Sequence, residues 1–182
     1  MENTQMTFGV INKLNIRDFT LASGIIYLFI GLIATILQLP MSIGTFFWLI
    51  LLYLIIGSIY GIIFSFLYNL LAKKTKQGFN GEVDKIGNKL NKIKVSSFIK
   101  PSLIIHASIG LFFGLLLGIY FTILYAYLGI LTIENLVFTL LLPFEGFFSF
   151  AVFGLFWGII FPLGYNIAII KLGLQIKIDV RK

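Results

Sequence analysis

Gly57-Ser-Ile-Tyr-Gly-Ile-Ile-Phe-Ser-Phe-Leu-Tyr-Asn69 returns 97 residues later as Gly154-Leu-Phe-Trp-Gly-Ile-Ile-Phe-Pro-Leu-Gly-Tyr-Asn166. Seven of the 13 positions are identical, and the spacing never slips. Self-similarity at a fixed offset is the mark of an internal repeat. Upstream, Asn12-Lys-Leu-Asn-Ile16 with Phe19 pairs with Asn91-Lys-Ile-Lys-Val95 with Phe98, at an offset of 79. Ile30-Gly31-Leu32 pairs with Ile109-Gly110-Leu111 at the same offset. The two offsets differ by 18, so the second half carries 18 extra residues inside it, near Gly129–Gly146.

The medium in which this repeat folds follows from composition. The hydrophobic fraction is 59%, the charged fraction 12% and the mean hydropathy +1.01 over 182 residues. A soluble domain carries about twice that charge. The composition excludes a cytosolic enzyme, a disordered chain and a DNA-binding domain. From Phe19 to Ala72 there is no Asp, Glu, Lys or Arg, and from Pro101 to Ile170 there are only Glu134 and Glu145. A helical span needs about 20 apolar residues, so each tract holds two spans and a turn. Pro40 breaks the first tract, because proline lacks the N–H and crowds the residue before it. Spans are expected near 19–39, 45–72, 101–128 and 146–170. The first reads as a retained span, not a cleaved signal peptide. The extra stretch near 129–146 is expected to form a short outer helix that stops at Pro143.

All 14 basic residues fall before the first span, between the second and third, or after the fourth. The positive-inside rule then places both termini and the central loop in the cytoplasm. Two spans per half make the repeats parallel, related by a pseudo-twofold axis along the membrane normal. The fold expected is an all-α membrane protein, a four-helix bundle with short cytoplasmic β-like or amphipathic segments. Its regions are a first repeat over 1–80, a basic linker and second lead over 81–100, and a second repeat over 101–182.

Each half resembles a family of small uncharacterised two-span bacterial membrane proteins. The residues carrying the resemblance are the leads Asn12–Phe19 and Asn91–Phe98 and the pairs Tyr68-Asn69 and Tyr165-Asn166. Gly-containing tails beginning near Gly78–Gly81 and at Gly173 complete it. The Gly-Gly of that pattern is absent from both tails, and the resemblance implies no activity.

Gly57/Gly61, Gly154/Gly158 and Gly110/Gly114/Gly118 are spaced four apart, a flat stripe on which another helix can approach closely. Its occupant is another span of the chain or a partner. The two Tyr-Asn pairs are expected at the cytoplasmic edge, where Asn caps a helix, bonds a neighbouring span or binds a ligand. His106, the sole histidine, lies in the third span opposite Tyr27 of the first half. A histidine there is a proton-transfer candidate or a hydrogen-bonded core residue. Glu145 is expected at the outer start of span four, stabilised by the helix dipole or attracting cations.

In the central loop, Val83, Ile86, Leu90 and Ile93 are spaced 3, 4 and 3 apart, with Lys85, Lys89 and Lys92 on another face. That spacing predicts an amphipathic helix on the anionic inner leaflet. Leu174–Val180 alternates strictly and reads as a strand, with Thr7–Leu14 as its expected partner.

There are no cysteines, hence no disulfide or thiolate metal site. Phosphate-loop, catalytic-triad and metal-ligand spacings are absent. The expectation is a non-enzymatic accessory or scaffold subunit of the inner membrane. It would need no cofactor, metal or nucleic acid, and would pack against itself or another membrane protein. The alternative is a small-solute or ion transporter or channel with a path along the pseudo-twofold axis, reaching Asn69, Asn166 and His106. An intramembrane enzyme acting on lipid is a third reading.

Overall fold

A computed structural model describes residues 6–37, 42–75, 78–84, 89–173 and 175–180. The elements run β1 (Met6–Leu14), α1 (Ile16–Ile36), α2 (Ile43–Thr75), β2 (Phe79–Asp84), β3 (Lys89–Ile93), α3 (Val95–Tyr127), α4 (Ile133–Leu172) and β4 (Ile176–Val180). The order βααβ occurs twice. The chain divides into two compact units, one of Met1–Phe98 with Ile159–Lys182 and one of Ile99–Gly158.

All four helices are long and apolar enough to cross a membrane. The shortest, α1, has 21 residues. A helix of that length matches one hydrocarbon thickness, about 30 Å. The outward faces stay apolar; Leu51, Ile55, Phe66, Leu115 and Phe156 are all exposed. Hydroxyls inside the helices turn back onto the carbonyl four residues earlier: Thr35 onto Gly31, Ser65 onto Gly61, Ser108 onto Ile104. Such bonds satisfy a polar group within its own helix, without a water partner.

Two helix boundaries differ from expectation. α4 is one continuous helix of 40 residues through Pro143, so the separate outer helix near 129–146 does not form. Proline strips the carbonyl at i−4, here Thr139, of its helical donor. Gly118 of α3 sits against that carbonyl, with no side chain in between. A facing helix thus covers the defect that would otherwise end the helix. Likewise α3 starts at Val95 and contains Pro101, which was expected at its start. After α3, Gly129 takes a left-handed backbone with φ 69. Gly129 N–H bonds Ala126 O and Ile130 N–H bonds Tyr125 O, which together make a Schellman cap.

The larger correction is the sheet. The four strands close a barrel in the order β1-β2-β3-β4, all neighbours antiparallel. The fold is therefore not all-α. The expected pairing of the N- and C-terminal strands is present, Leu14 opposite Ile178. The central stretch forms β2 and β3 where an amphipathic helix was expected, so 81–100 holds the end of β2, all of β3 and the start of α3. Lys89 and Lys92 lie on β3; Lys85 and Ile86 fall outside the described residues.

The helical spacing had a β cause. β2 alternates buried and half-buried residues strictly. In β3 the register slips by one residue, Val83 facing Leu90 while Glu82 faces Lys92. A bulge places two residues opposite one and lets both flanking side chains point inward. Leu90 and Ile93 are consequently both buried at a spacing of three. β1 slips likewise between Ile11 and Lys13, burying Ile11 and Leu14.

Candidate functional site: the Tyr-Asn clamps beneath the barrel

Tyr68 and Asn69 lie in the last two turns of α2, and they reach the strands of their own half. The Tyr68 hydroxyl donates to Ile11 O of β1 and accepts from Phe79 N–H of β2 at 3.1 Å. Ile11 and Phe79 are register partners, so the hydroxyl bridges the two strands where they pair. Asn69 Oδ1 accepts from Leu14 N–H at 2.7 Å, and Asn69 Nδ2 donates to Leu14 O at 2.9 Å.

The second half makes the same bonds. The Tyr165 hydroxyl donates to Leu90 O at 2.7 Å and accepts from Ile176 N–H at 3.0 Å, again between register partners. Asn166 Oδ1 accepts from Ile93 N–H at 2.8 Å, and Nδ2 donates to Ile93 O at 3.1 Å. Both tyrosine rings are fully buried. The donors follow the 97-residue offset and the carbonyls on β1 and β3 the 79-residue offset of the sequence match. The bulges explain the need for the asparagines. A bulge breaks the ladder beside it, and a buried backbone pair left open costs about 1–3 kcal/mol per group.

Beneath the clamps four phenylalanines close a ring. Phe19 stacks on Phe64 at 5.3 Å, Phe64 on Phe98 at 5.5 Å, Phe98 on Phe161 at 5.5 Å, and Phe161 on Phe19 at 4.7 Å. All four are at 0% exposure. Tyr68 stacks onto Phe64 and Tyr165 onto Phe161, so ring and clamps are one packed layer. The quartet was not singled out from sequence, although each residue sits at a matched position of the repeat.

The glycine stripes are occupied within the chain. A Cβ on Gly57 would strike Tyr27, and one on Gly61 would lie 2.8 Å from Thr20 Cα. A Cβ on Gly154 would lie 2.8 Å from His106 Cβ, and one on Gly158 2.8 Å from Ile99 Cα. Gly110 backs against Gly146, Gly114 against Leu142 and Gly118 against Thr139. His106 is buried; its Nδ1 lies 2.7 Å from the Ser102 carbonyl, which identifies it as the protonated nitrogen donating there. Ser102 Oγ donates to Gly154 O at 2.8 Å. Tyr27 holds the matching place against Gly57, as the repeat implied.

Glu145 is exposed and lies inside α4 rather than at its start; the acidic residue of the first turn is Glu134. The dipole argument therefore transfers to Glu134. Lys92 is exposed and Lys89 half-buried. Between α3 and α4 lies an apolar groove of about 470 Å³, walled by Leu111, Leu115, Ile119 and Phe144, with Thr122 bonded to Thr139 at 3.0 Å. Among the described residues no three His, Cys, Asp or Glu side chains group as metal ligands would.

Compared with known proteins, the chain matches no family model, no curated protein and no solved structure.

Proposed function

We propose that this is a tandemly duplicated, multi-pass inner-membrane protein with a non-enzymatic accessory or scaffold role. Its termini and barrel would face the cytoplasm. The observation that carries this reading is the double clamp. The polar groups best placed to bind or react, Tyr68, Asn69, Tyr165 and Asn166, are each bonded to the backbone of the barrel strands. They support architecture in preference to ligand chemistry. Duplication is supported by bonds that repeat at the same two offsets as the sequence. The basic residues at the helix feet, among them Lys13, Arg17, Lys73, Lys74, Lys94 and Lys171, suit an anionic inner leaflet. Since the glycine stripes are filled by the chain itself, any homo-oligomer or membrane-protein partner would be met by other lipid-facing surface.

The transporter or channel reading is disfavoured by the phenylalanine quartet, which would have to part for a solute to pass along the ring's centre. Native mass spectrometry after extraction in mild detergent tests the proposal. A defined homo-oligomer or a stoichiometric membrane-protein partner is expected; a monomer holding a small solute would overturn it. Single cysteines at Lys73, Gly129 and Lys171 test the orientation in the cysteine-free chain. Lys73 and Lys171 should label from the cytoplasmic side and Gly129 from the other.

A further inference from the structure

Each half brings only two strands to the barrel: β1 and β2 from the first, β3 and β4 from the second. The pair within each half is stitched by that half's own tyrosine. The other two seams, β1–β4 and β2–β3, join the halves. In one, Lys13 faces Asp179 and Leu14 faces Ile178, with Asn15 N–H donating to Lys177 O at 3.0 Å. In the other, Glu82 faces Lys92 and Gly81 faces Ile93, with Lys94 N–H donating to Asn80 O at 2.9 Å. Asn15 and Lys94 differ by the 79-residue offset, Asn80 and Lys177 by the 97-residue one. The two seams are the same contact made twice. The phenylalanine ring divides in the same way. Phe19 and Phe64 come from one half, Phe98 and Phe161 from the other.

A half by itself would leave two strand edges unpaired and uncover Ile11, Leu14, Phe79 and Val83, all buried in the barrel. A two-stranded ribbon is marginal in water, and an open edge invites another strand. A contact in which each surface meets its own equivalent is the isologous interface of a twofold dimer. We infer that the paired sheet edges of one βααβ half form a recognition surface whose partner is a second βααβ half. The chain is thus a dimer-type assembly carried on one polypeptide. Backbone pairing supplies the adhesion, and the two aromatic rings each half inserts supply the fit. This inference rests on the duplication proposed above.

The surface can be tested by denying it its own partner. Asp84 and Lys89 face each other across the β2–β3 seam, and four residues of sequence, 85–88, separate them along the chain. The shortest common hairpin loop has about two residues. Deleting 85–88 from the full chain should force the halves to pair between copies. Native mass spectrometry should then find twice the parent's copy number, each copy exchanging halves with its neighbour; the parent's copy number at the parent's stability would overturn the inference. Should the deletion not fold, a protease site inserted between Asp84 and Lys89 of the full chain serves instead. Cut after purification in mild detergent, the two pieces should stay together at one to one through size exclusion, and separation would overturn the inference. A circular permutant starting at Lys89, linked from Val180 to Met6 and ending at Asp84, distinguishes the failures. If it folds while the cut pieces part, the recognition surface is lost and the duplication stands. If it does not fold, both are overturned.

Discussion

Asn166 grips Ile93 by both ends of its amide, accepting from the N–H at 2.8 Å and donating to the carbonyl at 3.1 Å. A helix side chain thereby takes the place of the strand that the bulge turns away. Asn69 holds Leu14 in the same manner, so the two sites should be energetically alike.

Asn69→Ala and Asn166→Ala should each lower stability by about 1–3 kcal/mol, the cost of leaving buried backbone groups unpaired. The two values should agree closely. Thermal unfolding in detergent measures them, and a large loss at one site beside none at the other would contradict a shared role.

Tyr68→Phe and Tyr165→Phe keep the rings and remove only the hydroxyls. Each should cost about 1–3 kcal/mol. Each should also speed amide exchange at Phe79 or Ile176, the residues whose N–H groups the hydroxyls accept. Exchange within α1 should not change.

Phe161→Ala should cost about 3–5 kcal/mol, since the cavity lies inside a packed ring that cannot collapse freely. Phe161→Leu should recover most of it. Vesicles containing Phe64→Ala with Phe161→Ala should show no solute flux above the parent; new flux would revive the channel reading.

Gly57→Leu and Gly154→Leu should prevent folding, because the added side chain enters space held by Tyr27 or by His106. Gly44→Ala should be tolerated, having nothing within 4 Å of the new Cβ. Gly129 also has open space, but its backbone is left-handed. Gly129→Ala should therefore cost about 1–2 kcal/mol. Expression and thermal unfolding of the set test these together.

The helices were legible because the signal behind them is long. A tract running from Phe19 to Ala72 without one formal charge leaves little choice of structure. The terminal strand pair was also readable, since Ile176 and Ile178 alternate cleanly. β2 and β3 were not. A bulge in β3 replaced alternation with a spacing of three, and Leu90 and Ile93 then imitated a helix face. Pro143 misled for a related reason. The glycine that makes a proline tolerable in α4 is Gly118, on another helix, which no local rule consults. The Tyr-Asn pairs were visible as a repeated motif, but their bonding targets lie up to 75 residues away along the chain.

The closure of the barrel also orders events in time. β1 emerges from the ribosome long before β4, its second neighbour, exists. Through that interval α1 and α2 can form, and Tyr68 and Asn69 can fasten β1 to β2. The rim of the sheet must nevertheless wait. Nonlocal strand pairing is slow because a long loop must close before the contact forms, and an intermediate with bare edges is prone to misassembly. Completion of the barrel therefore waits for β4. Lesions in β4 should reveal themselves as premature degradation of the chain.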